Sequence, residues 1–171
     1  MTEGKKQLVT IHVNGQAVEA RVEPRRSLLD FLREDAGLTG THTGCEHGIC
    51  GTCTVLVENQ AVRSCLMLAV QANGRNVLTV EGLATGETLH PLQESFWKHH
   101  ALQCGYCTPG MLIAAYDLLS RNPSPTDAQV REALAGNICR CTGYVQIVES
   151  VLAAAAALRN EAQNSNAKPT V

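Results

Sequence analysis

From Gln7 to Val22 apolar side chains fall on every second position, Val9, Ile11 and Val13 and then Val18, Ala20 and Val22, with Asn14-Gly15 between the two runs. A period of two marks strands with one buried face, and Asn-Gly tolerates the positive φ values of a type I′ turn, so this segment predicts a hairpin. Ser27 then precedes Leu28, Leu29, Phe31 and Leu32, with Asp30 three positions on. That spacing predicts a short N-capped helix ending near Gly37, its apolar side over the hairpin. Strand-like patterning returns at residues 53–58, before a turn at Asn59-Gln60, and again at residues 76–81.

Past Gly82 the pattern changes period. The stretch Gly82-Leu83-Ala84-Thr85-Gly86-Glu87-Thr88 carries two glycines and small residues, after which apolar positions recur at helical spacing. We therefore expect one domain over residues 1–82, a linker at 83–88 and a helical domain over 89–159. Its first helix opens at His90-Pro91 and runs through Phe96 and Trp97 to about His100, with Pro91 suited to the first turn. The second starts near Thr108-Pro109, carries Met111, Leu112, Ala115, Leu118 and Leu119 on one face, and ends at Arg121. The third begins at the capping box Thr126-x-x-Gln129 and stops near Gly136. The fourth spans about Thr142 to Arg159, with Tyr144, Val148, Val151, Leu152, Ala155 and Leu158 on one stripe. Residues 160–171 lack an apolar period and read as a mobile tail unless a partner holds them.

Composition narrows the function. Hydrophobic residues make up 44% of 171, enough for modest cores, and 14 basic against 16 acidic side chains leave a net charge of −2. No basic footprint for nucleic acid exists, and the polar N-terminus, Met1-Thr2-Glu3-Gly4-Lys5-Lys6, runs straight into the first strand without a signal-like or membrane-spanning stretch. A cytoplasmic location is the expectation, the periplasm being reached only if a partner carries the chain there.

The eight cysteines fall into two sets of four with none left over. Disulfides would need an oxidising compartment, so bound thiolates are the better reading. The first set, Cys45-x4-Cys50-x2-Cys53 followed by Cys65, has plant-type [2Fe–2S] spacing among glycines that let backbone amides approach sulfur. In the second, Cys104-x2-Cys107 and Cys139-x-Cys141 each precede a predicted helix, whose N-terminal amides favour negative charge. Cys-x-Cys is also unlike tetrahedral zinc sites, which pair cysteines two to four residues apart.

Cys45-x-His47 is half of a Rieske signature, but no cysteine is followed three residues later by histidine, which rejects that ligation. His42 and His47 read as polar loop residues, His99-His100 as a favoured cationic end to a helix, and Phe96 and Trp97 as core or partner interface. No phosphate-cradling loop and no dinucleotide fingerprint occurs. Irons fully ligated by cysteine offer no open position to substrate, so no residue here is assigned a catalytic role.

Three blocks together carry a resemblance: the first cysteine set with eleven residues between Cys53 and Cys65, then Gln103-Cys104-Gly105-Tyr106-Cys107-Thr108-Pro109-Gly110, then Asn137-Ile138-Cys139-Arg140-Cys141-Thr142-Gly143-Tyr144. Over about residues 7 to 158 the chain resembles the small iron–sulfur subunit of the xanthine oxidase family of molybdenum hydroxylases. The resemblance implies an α+β protein, a β-grasp ferredoxin-like domain followed by a four-helix-bundle [2Fe–2S]-binding domain. It implies one cluster on Cys45, Cys50, Cys53 and Cys65, facing FAD on a medium subunit or a cytochrome acceptor. A second, on Cys104, Cys107, Cys139 and Cys141, would lie nearest a molybdenum pyranopterin on a large subunit, with Gln103 contacting the pterin. A heterotrimer, which can dimerise, follows as the expected assembly. Glu46-His47 departs from the Gly-Glu that many relatives have after the first cysteine. A free-standing two-cluster ferredoxin and a zinc-stapled module are the rival readings; near-neutral charge and a second helical half speak against the carrier, and brown colour with about four irons per chain would eliminate zinc.

Overall fold

The computed structural model describes residues 5–166, and the side chains of 5–164. Strands β1 (Gln7–Val13) and β2 (Gln16–Val22) pair antiparallel as a hairpin, Val13 opposite Gln16. Its turn residues, Asn14 at φ 51° and Gly15 at φ 81°, both take the left-handed conformation that the Asn-Gly pair predicts. Helix α1 (Leu28–Asp30) starts where Ser27 accepts a hydrogen bond from the Asp30 amide, then widens into a π-helical turn at Phe31–Asp35. The remaining strands are β3 (Thr54–Val57), β4 (Gln60–Arg63) and β5 (Asn76–Leu78), giving a mixed sheet in the order β2-β1-β5-β3-β4 with β1 and β5 parallel.

Two differences from the sequence reading lie here. The turn expected at Asn59-Gln60 sits one residue earlier: Glu58 and Asn59 both adopt positive φ, and Gln60 already pairs with Val57. That shift leaves room for β4, which the sequence reading does not include. The strand expected to reach residue 81 stops at Leu78, because the Asn14 side chain bonds both the Thr79 amide and its hydroxyl, and the chain turns into a 3₁₀ segment at Val80–Gly82.

Four further helices follow: α2 (Pro91–Lys98), α3 (Thr108–Arg121), α4 (Asp127–Leu134) and α5 (Val145–Asn166). His90 caps α2, accepting from the Leu92 amide through Nδ1, and Thr126 with Gln129 forms the capping box of α4. Helix α5 starts three residues later than expected because Gly143 and Tyr144 both have positive φ. It also continues to Asn166, beyond Arg159 and into the segment read as a tail. Extending an existing helix adds a hydrogen bond per residue without a new nucleus, and Glu161 lies near the His90 end of α2. The expectation of a mobile tail at 167–171 falls outside the described residues.

Strand β3 is buried along its whole length, since its two faces serve different cores. Val55 and Val57 join Val9, Ile11, Val13, Leu28, Phe31 and Leu32 under α1. Leu56 joins Leu92, Phe96, Met111, Ile113, Val130, Ile147 and Val151 of the helices, where Leu78 and Val80 also pack. Among the described residues, no helix is long and apolar enough to cross a membrane.

Candidate iron–sulfur sites

Three cysteines of the first set, Cys45, Cys50 and Cys53, lie on a tight glycine-rich loop between α1 and β3, and Cys65 joins them from the 3₁₀ turn Ser64–Leu66 after β4. Glu46, Gly48 and Gly51 all have positive φ. A Cβ on Gly44 would lie 2.7 Å from Cys50 Sγ, and one on Gly51 would run into the Gly136 carbonyl and the Asn137 backbone. The loop therefore closes tightly on its own sulfurs and on the helical half at once. The Cys50 amide points at Cys45 Sγ at 3.3 Å. With the His47 amide it pulls the Cys45 thiol down to about 6, the behaviour of an anion nest. Burial, with the Cys53 thiol beside it, pushes Cys65 up to about 11.

The second set sits at two helix approaches. Cys107 is the N-cap residue of α3, and Cys104 lies exposed three residues earlier across Gly105, whose φ is +81°. Cys139 and Cys141 lie on the turn that leads into α5. Burial drives Cys107 up to about 12, with the Cys139 thiol adding to it. Burial also opposes ionisation of Cys139, but the Thr142 hydroxyl, 3.1 Å from its sulfur, and the amides of Cys141 and Thr142 outweigh it and lower the thiol. Tyr144 accepts from the Cys139 amide through its hydroxyl, which fixes the turn.

None of the eight cysteines forms a disulfide. Their sulfurs gather in pairs, Cys45 with Cys50, Cys53 with Cys65, Cys107 with Cys139 and Cys104 with Cys141. The last pair stands 3.6 Å apart, close to the roughly 3.7 Å between two sulfurs on one tetrahedral metal. Among the described residues no three or more His, Cys, Asp or Glu converge as for a single ion. Pairs of thiolates are instead what a two-iron cluster takes, two on each iron. Thr108 Oγ1, next to Cys107, is a buried hydroxyl without a hydrogen-bond partner, which a sulfur acceptor at that site would satisfy. The donor sets fit [2Fe–2S] clusters. Gln103 is exposed beside Cys104.

The two sites are stitched together by residues that the sequence reading leaves as loop. Tyr106 O accepts from Thr52 Oγ1 at 2.7 Å and bonds His42 Nδ1 at 2.8 Å, the His42 ring stacks on Tyr106, and the Tyr106 hydroxyl donates to the Thr43 carbonyl. The Ile138 amide donates to the Cys50 carbonyl at 2.8 Å. His47, by contrast, turns its Nδ1 to the Cys45 carbonyl within its own loop.

Comparison with known proteins agrees with this layout. Residues 11–79 match the model of a 2Fe-2S iron-sulfur cluster binding domain, and residues 79–152 that of a [2Fe-2S] binding domain. The nicotine 6-hydroxylase small subunit of Paenarthrobacter nicotinovorans is 54% identical over 90% of this chain and 92% of its own. This chain belongs to the small iron–sulfur subunits of the xanthine oxidase family of molybdenum hydroxylases. Another such relative, the caffeine dehydrogenase subunit gamma of Pseudomonas sp. strain CBB1, is 48% identical over 84% of this chain and 88% of its own. Among solved structures, quinoline 2-oxidoreductase from Pseudomonas putida 86 has a chain that superposes with a TM-score of 0.88 at 50% identity, covering 92% of this subunit and 98% of that chain.

Proposed function

We propose that the chain is the electron-transfer subunit of a multi-subunit molybdenum hydroxylase. One [2Fe–2S] cluster is held by Cys45, Cys50, Cys53 and Cys65, the other by Cys104, Cys107, Cys139 and Cys141; bound there, the clusters supply one-electron reduction and oxidation. Electrons enter from a molybdenum pyranopterin on a large subunit beside Gln103 and the exposed pair Cys104 and Cys141. They leave from the Cys45 set toward FAD on a medium subunit, in a cytoplasmic heterotrimer. The halves correspond to a β-grasp ferredoxin-like domain ending at about residue 82 and a helical bundle that begins at about 89 and, with α5, reaches Asn166, joined at 83–88.

The observation that carries the subunit reading against a free carrier is where apolar surface is left open. Ile49, Leu66, Tyr106 and Ile138 are each about half exposed or more, and each stands next in sequence to a cysteine. A ferredoxin that docks and leaves favours charged, steered contacts; large apolar side chains around the sulfurs suit a permanent interface that excludes water from the route. Gentle purification of the native protein tests this. Molybdenum- and flavin-containing chains co-purify with it, and two distinct cluster EPR signals are present; a brown monomer with neither partner would leave the free ferredoxin.

A further inference from the structure

The junction between the two cysteine sites is fastened by a cation that has no carboxylate. Arg63 ends β4 opposite Thr54. Its guanidinium donates from Nη1 to Thr54 Oγ1 at 2.6 Å and from Nη2 to the Gly136 carbonyl at 2.6 Å, with Asn137 Oδ1 at 3.4 Å. No acidic side chain pairs with it among the described residues. Gly136 leaves the space it occupies, since a Cβ there would lie 2.5 Å from Nη2. Asn137, 2% exposed, completes the link by donating Nδ2 to the Gly51 carbonyl at 2.9 Å.

These bonds act on the route between the sites. Residues 136 and 137, held to β3 and β4 by the guanidinium fork, lead directly to Ile138, whose amide meets the Cys50 carbonyl, and then to Cys139. A ligand of one site and a ligand of the other are thereby joined through a single hydrogen bond whose length depends on where Gly136 and Asn137 lie. The charge matters as well. Each cluster becomes more negative when reduced, and a guanidinium with neutral acceptors only keeps its charge available to both.

We propose that Arg63 is the positioning residue for electron passage between the two clusters, setting their separation through its fork and raising both potentials through its charge. The inference rests on the two-cluster reading. Lysine keeps the charge but, as a point donor, does not span Thr54 and Gly136 in a planar fork; glutamine loses both.

The test uses the whole complex and three variants. Two reduced clusters at fixed separation split each other's EPR lines, and redox titration gives each potential. In Arg63→Gln the splitting is lost and both potentials fall. In Arg63→Lys the potentials stay near the parent's while the splitting is still lost. Gly136→Ala, which keeps Arg63 and puts a methyl group in its place against the carbonyl, behaves like Arg63→Lys, and these two decide the matter if Arg63→Gln does not load iron. Parent-like splitting and potentials in fully loaded variants would overturn the clamp. A parent complex without two cluster signals would instead overturn the two-cluster reading, so the two failures are distinct.

Discussion

The two cysteine sites hold the same number of thiols by opposite means. The first is enclosed: Gly44, Gly48 and Gly51 close a loop on the sulfurs, Cys53 is 2% exposed, and the neighbouring backbone of Gly136 and Asn137 leaves no room for a side chain. The second is open: Cys104 and Cys141 are exposed, and nothing lies within 4 Å of a Cβ placed on Gly105 or Gly143. Enclosure leaves the first site facing a partner through Ile49 and Leu66, 60% and 63% exposed, rather than through its own sulfurs. Openness suits one whose remaining wall belongs to another protein.

The largest expected contrast comes from removing a ligand on each side. Cys53→Ser and Cys104→Ser each lower iron from about four to about two per chain and delete a different EPR signal. The thermal midpoint falls much further for Cys53→Ser, because that cluster's binding energy is tied to the burial of β3. Equal losses would remove the distinction between the sites.

Glycine substitution gives the next largest effect. Gly51→Ala combines a left-handed φ of +75° with backbone collision, and is expected to destabilise by about 3 kcal/mol or more. Gly105→Ala, at φ +81° but in open space, costs about 1 kcal/mol. Denaturant titration of the loaded proteins measures both.

A smaller change sharpens the open site. Thr142→Val removes the hydroxyl that donates to Cys139 Sγ. Donors to sulfur favour the reduced, more negative cluster, so its potential falls, by about 40 mV for a hydrogen bond of about 1 kcal/mol, while Thr142→Ser keeps it. The first cluster's potential is unchanged in both.

The smallest effect lies away from either site. Burial lowers the pKa of His90, with Glu161 of α5 opposing and Tyr116 of α3 edge-on to its ring. The folded state therefore takes up the His90 proton less readily than the unfolded chain. This contribution to stability is complete above the unfolded value near 6.5 and is lost as pH falls through the lowered folded value. Asparagine caps a helix without titrating, so the stability difference between parent and His90→Asn shifts in the parent's favour between about pH 5 and pH 7.5. A difference independent of pH would place His90 outside the titration.

How much of the fold is legible in the amino-acid sequence follows from how local its causes are. Asn14-Gly15, the Ser27 cap and the Thr126 box act within a few residues, and their elements are present where expected. The two cysteine sets stand out because thiol spacing is written along the chain, and the structure brings their sulfurs together in pairs. Strand β4 is not, since Gln60-Ala61-Val62-Arg63 has no alternation and owes its place to pairing with β3. The contacts of Arg63, His42 and Tyr106 escape the sequence for the same reason. Apart from the Arg63 bond to Thr54 on the paired strand, their partners are 54 to 74 residues away, and no local pattern announces such a contact.

Strand β3 has a consequence for how the molecule comes apart. One of its faces belongs to the sheet core and the other, through Leu56, to the helical core. Neither half can melt without exposing apolar surface of its neighbour, so heating the loaded chain yields one cooperative transition, with calorimetric and van't Hoff enthalpies equal. A chain cut between residues 83 and 88 would put Leu56, Leu78 and Val80 into water, and the severed halves would stick to each other or aggregate before behaving as two independent proteins.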